Sequence, residues 1–154
     1  MEIPPLCWAG LFVLSWIGLA PATPGLNAED VTLRGQVLTL AAALESLGAL
    51  VNADAEATAK QVVLVKDDRS IMPLFLDDAS RAFFLDERLR GCRTEIRGRR
   101  FAGIPFLQVV IFRVERDGRF GTPEYWCEVC AISVRYPQAC PCCQGSMELR
   151  LKPD

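Results

Sequence analysis

The chain has 154 residues, of which 51% are hydrophobic and 23% charged, and its formal net charge is −2. This length fits one domain with a small appendage, and the hydrophobic content is sufficient to bury a core, which excludes a wholly disordered chain. Histidine is absent. Its absence excludes histidine-based triads and Cys₂His₂ fingers, so thiolates and carboxylates are the only strong metal ligands that the chain offers.

The N-terminal segment resembles an export signal. Residues 6–20 are apolar except for Ser15, and Ala20-Pro21-Ala22 supplies the small residues of a cleavage site. The pattern predicts a signal peptide over residues 1–22, cleavage after Ala22, and a periplasmic or secreted mature chain. The alternative is an uncleaved membrane anchor, because the first residues contain Glu2 and neither lysine nor arginine. Membrane contact is expected only through this segment.

The first half of the remaining chain is predicted to be mainly β. Residues 23–30 read as a flexible lead-in, and residues 31–40 alternate as a half-buried strand, with Gly35 indicating a bulge or bend. Residues 41–59 suggest a short helix or helical loop, with an exposed connection from residue 52. Residues 61–66 and 71–76 form a predicted hairpin in which Pro73 favours an edge or bulge.

A helix is predicted over residues 79–90, capped by Asp77 or Asp78 and ended by Gly91. Strands follow over residues 92–100 and 104–114. Three strands, a helix and two further strands are the order of a five-stranded OB-like Greek-key barrel, here over residues 31–120, with one or two short helices.

Five of the seven cysteines fall in the predicted C-terminal tail, residues 121–154. Two Cys-x-x-Cys steps can aim four thiolates at one tetrahedral metal ion, and Pro141 and Gly145 are typical of a zinc knuckle. The sequence therefore predicts a structural Zn²⁺ site in a zinc-ribbon-like hairpin, and Fe is the second choice of metal. Cys142 is an alternative fourth ligand. Disulfides and thiol exchange remain rival interpretations, since export favours disulfides. The predicted ligands are Cys127, Cys130, Cys140 and Cys143.

Two strand segments carry a family resemblance. Residues 31–37 around Gly35 and residues 94–99 around Gly98 are similar to the strand openings of OB-fold domains. Over about residues 31–151 the chain resembles small exported bacterial proteins of unknown function that combine such a barrel with a Cys-rich, zinc-ribbon-like tail, and residues 78–86 correspond to their helix. The resemblance implies a fold and no established activity.

An arginine-rich stretch is the second candidate feature. Residues 88–119 contain nine arginines and only three acids, Glu95, Glu115 and Asp117, which gives a local net charge of +6. Four phenylalanines lie among or directly after them: Phe101, Phe106, Phe112 and Phe120. On a barrel this could bind single-stranded nucleic acid. A solvated strand face, with Phe106 and Phe112 in the core, explains the pattern more simply. The arginines are Arg88, Arg90, Arg93, Arg97, Arg99, Arg100, Arg113, Arg116 and Arg119.

No catalytic constellation is recognised in the sequence. A metal bound by four protein ligands has no open position for substrate, so its expected role is structural. Asp67, Asp68, Asp77 and Asp78 are read as turn and cap residues, Cys92 as a buried small side chain, and Trp126 as packing the tail onto the barrel. We therefore expect a non-enzymatic exported binding or assembly module with a protein or cell-envelope partner. The alternatives are single-stranded nucleic-acid binding, and thiol redox or soft-metal handling.

Overall fold

The computed structural model describes residues 27–49 and 52–153. The predicted signal peptide and most of the lead-in lie outside the described residues. In the described part, no helix is long and apolar enough to cross a bilayer. The mainly β prediction is confirmed by eight strands: β1 Ala28–Thr39, β2 Val62–Lys66, β3 Ile71–Pro73, β4 Arg93–Phe101, β5 Leu107–Arg116, β6 Arg119–Cys127, β7 Ile132–Val134 and β8 Glu148–Pro153. The helices are α1 Leu40–Ser46, α2 Ala55–Lys60, α3 Arg81–Leu85 and a 3₁₀ turn at Glu87–Leu89.

The strands form one antiparallel sheet in the order β3-β2-β1-β4-β5-β6-β7, and β8 pairs with β6. β1 changes partner along its length, since it pairs with β4 from Ala28 to Gln36 and with β2 from Gly35 to Thr39. At Gly35 the strands approach so closely that an added Cβ would lie 2.0 Å from the Val65 carbonyl oxygen. The sequence correctly marks Gly35 as special, but the irregular register lies in the β4–β5 pair, between Arg97 and Gly98.

Several predicted boundaries differ from the observed ones. β1 begins at Ala28, inside the predicted lead-in, because its first residues pair with the end of β4. α2 occupies part of the predicted exposed connection, and Asp54 caps it by accepting a hydrogen bond from Ala57 N–H. The predicted helix over 79–90 is wrong in extent, since the chain is extended at Asp86, between α3 and the 3₁₀ turn.

The core lies between the sheet and α3. The rings of Phe83 and Phe112 pack with centroids 4.0 Å apart. Leu64, Ile96 and Tyr125 from three different strands are fully buried in the same cluster. Alternation places these apolar side chains on the inner face, while arginines of β4 occupy the outer face.

The predicted closed five-stranded barrel is not confirmed. Leu74, the residue after β3, forms one isolated parallel bridge with Leu107 of β5, and Phe75 N–H donates to the Leu107 carbonyl at 3.0 Å. This single bridge does not close the sheet. β6 runs through residue 121, the predicted start of the tail. It pairs with β5 from Arg119 to Gly121 and with β8 from Gly121 to Trp126. The cysteine-bearing segment is therefore continuous with the main sheet.

Candidate metal centre

Two similar turns present the four predicted cysteines. The first follows β6, where Cys127 is the last strand residue, and the second lies in the loop between β7 and β8. In each turn the residue after the second cysteine has positive φ, 53° at Ala131 and 60° at Gln144. Its N–H donates to the carbonyl of the first cysteine, at 2.9 Å for Ala131 to Cys127 and 2.8 Å for Gln144 to Cys140. Each Cys-x-x-Cys step is thus folded back so that its two sulfurs point the same way.

The structure brings the four predicted sulfurs together. The Sγ atoms of Cys127, Cys130, Cys140 and Cys143 all lie within 4.8 Å of one another. Sγ of Cys127 is 3.6 Å from Sγ of Cys143. A tetrahedral zinc with Zn–S bonds of about 2.3 Å requires sulfur–sulfur edges of about 3.8 Å, whereas a disulfide bond is about 2.05 Å long. The described cysteines are free thiols, and this spacing fits a shared metal ion.

Burial and hydrogen bonding differ among the four thiols. Cys127 and Cys140 are buried, Cys130 is half-buried and Cys143 is exposed. Backbone N–H groups of Cys143 and Cys142 donate to the Cys140 sulfur and lower the pKa of Cys140 to about 6. Hydrogen bonding with the thiols of Cys142 and Cys143 raises the pKa of Cys130. The second Cys-x-x-Cys turn therefore favours the thiolate form of Cys140.

The other cysteines lie outside this group. Cys142 is exposed, and although its thiol hydrogen-bonds with Cys130, its sulfur is not one of the four that all lie within 4.8 Å of one another, so the geometry favours Cys143 as the fourth ligand. Cys92 is half-buried rather than buried, and its Sγ contacts the Arg88 carbonyl oxygen at 3.7 Å. Cys7 lies outside the described residues.

The metal centre is attached to the sheet through its neighbours in sequence. Trp126 lies beneath Arg150 of β8, with the guanidinium carbon 5.3 Å from the ring centroid. Arg150 also forms an ion pair with Glu128, inside the first Cys-x-x-Cys step. Side chains from the tail pack against the central core, among them Val134, Tyr136, Met147, Leu149 and Leu151.

The arginine-rich stretch is partly neutralised. Four of its nine arginines form ion pairs with acids, two of them with the first strand: Arg88 with Asp86, Arg99 with Asp30, Arg100 with Glu29, and Arg113 with Glu95. Phe106 stacks on Phe75, and Phe112 belongs to the core, as the simpler interpretation expects. Arg97 is exposed and has no ion pair in residues 27–49 and 52–153.

Sequence reasoning missed a buried polar pair beside this region. The hydroxyl of Tyr125, a residue only 1% exposed, donates a hydrogen bond to the carboxylate of Asp86, whose side chain is 6% exposed. Nε and Nη2 of Arg88 both donate to the same carboxylate. The hydrogen bonds from Arg88, with that from Tyr125, lower the pKa of Asp86 to about 2 against the opposing effect of burial. Burial, with the hydrogen bond to Asp86, raises the pKa of Tyr125. The signal available in the sequence was Asp86 itself, an acid that falls inside the predicted helix over residues 79–90.

Glu95 is the second polar side chain that the sequence did not single out. It lies on the outer face of β4 between Arg34 and Arg113, and both arginines form ion pairs with it. Their hydrogen bonds, Arg113 first, lower the pKa of Glu95. Arginines therefore hold both Asp86 and Glu95 in the charged form, as expected for ion pairs that stabilise the fold.

No protein-family model, curated protein or solved structure matches the chain significantly.

Proposed function

We propose that Cys127, Cys130, Cys140 and Cys143 hold one structural Zn²⁺ ion. The observation that carries this proposal is the mutual approach of the four sulfurs within 4.8 Å, from two turns with the same hydrogen-bonding pattern. When bound, the ion supplies cross-linking between the end of β6 and the β7–β8 loop. Four protein ligands complete a tetrahedral shell, so the site serves folding rather than turnover.

The tail has a physical need for such a cross-link. β7 has three residues, and no helix or strand lies between Val134 and Glu148. A segment this irregular cannot bury enough apolar surface to offset the entropy of ordering it. Metal binding contributes the missing free energy, because the site exists only when the two turns are folded.

Native mass spectrometry with elemental analysis of the full chain tests the metal. We expect one zinc per chain and no absorption in the visible range, whereas an iron tetrathiolate would be coloured. Cys140→Ser should lose the zinc, and Cys92→Ser, outside the cluster, should retain it. A metal-free protein whose mass is lowered by disulfide formation would overturn the proposal.

We propose further that the chain is a non-enzymatic binding or assembly module of OB-like architecture. The supporting features are the strand order β3-β2-β1-β4-β5, the helix between β3 and β4, and the parallel bridge between Leu74 and Leu107. An experimental structure with a continuous β3–β5 ladder would support the barrel, and a wide gap between these strands would refute it.

Export is part of the same proposal and rests on the N-terminal sequence. Removal of residues 1–22 would give a mature chain beginning at Thr23. N-terminal sequencing of protein taken from the periplasm or culture medium tests this. A chain that retains residues 1–22 and stays with the membrane fraction would instead support the uncleaved anchor.

The two alternative functions have narrower support. Nucleic-acid binding rests on the arginines without acidic partners, since four of the nine are already engaged in ion pairs. Thiol redox or soft-metal handling rests on the exposed Cys142 beside the cluster. A strong decrease of affinity with salt would favour the former, and reversible thiol exchange at Cys142 the latter.

A further inference from the structure

The strand β5 has a long unpaired edge in the middle of the sheet. On one side it pairs with β4 along most of its length. On its other side it pairs with β6 only from Val114 to Arg116, and with Leu74, the residue after β3, only at Leu107. Among the described residues, the stretch 108–113 therefore has no ladder partner on this side. An exposed strand edge offers unpaired N–H and C=O groups to an additional strand.

The bulge in β5 presents apolar side chains at this edge. The register skips Val110, so that Arg97 faces Ile111 and Gly98 faces Val109. As a result, Val110 and Ile111 are both directed outward, and they remain 45% and 44% exposed. The two residues form a small exposed apolar patch at a bulge, and bulges are over-represented at sheet edges and next to functional sites.

β6 diverges from β5 where Pro123 enters the strand. Pro123 has no N–H to donate, so it could not continue the ladder as a donor. The separation leaves a groove, here called the β5–β6 groove, whose walls include Val110, Ile111, Phe112, Thr122, Pro123 and Arg135. It has a volume of about 190 Å³ and adjoins a second hollow of about 280 Å³ that shares Ile111, Phe112 and Thr122. Ligand pockets for small molecules usually exceed about 300 Å³, so two linked hollows of this size suit individual side chains of a chain lying across them.

The charge around the groove is positive. Arg97 lies next to Ile111 across the β4–β5 pair and lines the second hollow, and Arg135 lines the first. Both are exposed and have no acidic partner in the described ranges. The one acid in the second hollow, Glu95, is neutralised by Arg34 and Arg113. An incoming segment with carboxylates would gain charge complementarity here.

We propose that the edge of β5 over residues 108–113 binds an extended acidic segment of a partner protein by strand addition. Backbone hydrogen bonds to β5 supply the affinity, apolar side chains of the segment cover Val110 and Ile111, and its carboxylates meet Arg97 and Arg135. This inference deepens the proposed binding role and rests on it, but it does not depend on the metal.

The probe is a synthetic heptapeptide, blocked at both ends, that carries valine and glutamate in turn at every second position, so that both side chains share one face of the strand, with threonine at the positions between. It is added to the full zinc-loaded chain. Amide hydrogen exchange is followed by NMR. At saturating peptide, the exchange rates of those amides of residues 108–113 that do not face β4 should decrease at least tenfold. Two control peptides test the mode of binding. Replacing glutamate by lysine, or methylating alternate backbone nitrogens, should each weaken binding at least tenfold.

Matched variants locate the site. Arg97→Glu and Ile111→Glu, both exposed on the outer face, should abolish protection without changing the folded spectrum elsewhere. Arg69→Glu in the β2–β3 turn and Leu85→Glu at the end of α3 make the same chemical changes away from the groove and should have no effect.

Four outcomes would overturn the inference: no protection at millimolar peptide, protection located elsewhere, equal binding of the lysine or N-methylated peptides, or displacement by a ten-nucleotide oligothymidylate that binds more tightly. The last outcome would assign this face to nucleic acid. Zinc is measured on the same sample, so failure of peptide binding with one zinc per chain refutes strand addition and leaves the metal proposal standing.

Discussion

The hydroxyl of Tyr125 donates a 2.7 Å hydrogen bond to the carboxylate of Asp86, joining β6 to the turn between α3 and the 3₁₀ helix. Tyr125→Phe removes this bond and leaves a buried carboxylate short of one donor. We expect a loss of about 1–3 kcal/mol in the free energy of unfolding, measured in urea. Tyr136→Phe is the control, because its hydroxyl makes no hydrogen bond within the described ranges, and it should cost less than about 0.5 kcal/mol. Equal losses of stability in Tyr125→Phe and Tyr136→Phe would show that the hydrogen bond from Tyr125 to Asp86 does not stabilise the fold.

The same carboxylate makes stability depend on pH. The pKa of Asp86 is about 2 in the folded chain, against an ordinary value of 3.8, so the folded state favours the charged form. Its stabilising contribution, about 2 kcal/mol, is complete above pH 4 and lost as the pH falls from about 4 to 2. Urea unfolding at several pH values measures it. Metal release at low pH affects every variant, so the informative quantity is the difference between the wild type and Asp86→Asn, which should shrink across this window.

Gly35 is required by the distance between strands rather than by its backbone angles. In Gly35→Ala the new Cβ would lie 2.0 Å from the Val65 carbonyl oxygen, and β1 and β2 would have to separate. We expect a loss of about 3 kcal/mol or more. Gly103→Ala is a suitable comparison, since Gly103 has φ of 78° and open space around its Cα, and the strain of that conformation costs about 1–2 kcal/mol. A smaller loss at Gly35 than at Gly103 would show that the sheet relaxes easily.

The choice between Cys142 and Cys143 can be decided with two serine variants. Cys143→Ser should release zinc and lower Tm by about 10 °C or more, because the tail loses its cross-link. Cys142→Ser should retain one zinc and the wild-type Tm, since the Cys142 sulfur lies outside the cluster. Differential scanning calorimetry with zinc analysis measures both quantities. The reverse ranking would make Cys142 the ligand.

The sequence predicted what depends on local pattern. The spacing of the two Cys-x-x-Cys steps points to the four sulfurs, with Cys142 left open as an alternative to Cys143. Alternation indicates β1 and β4, and continuous apolar, β-forming runs indicate β2 and β5. At Gly35 the sequence indicates a bulge or bend, whereas the structure shows a close approach to Val65 there and a register shift at Gly98 instead. The prediction of zinc itself awaits measurement of the bound metal.

What depends on pairing between distant segments was not predictable. The extension of β1 to Ala28 requires its register with β4, and β8 is recognisable only as the partner of β6. The end of α3 at Asp86 depends on Tyr125, 39 residues away. The arginine-rich stretch has a net charge of +6 in sequence, but acids at positions 29 and 30 of another strand lie opposite it in the sheet.

β6 contributes to the core and to the metal centre within three residues. Tyr125 is buried in the central cluster, and Cys127, on the same side of the strand, is a candidate ligand. Heat should therefore unfold the chain in a single cooperative transition, because the tail cannot melt while its strand remains rigid in the sheet. Removal of zinc by a chelator should consequently lower the unfolding temperature of the whole molecule, in addition to loosening the loop between β7 and β8.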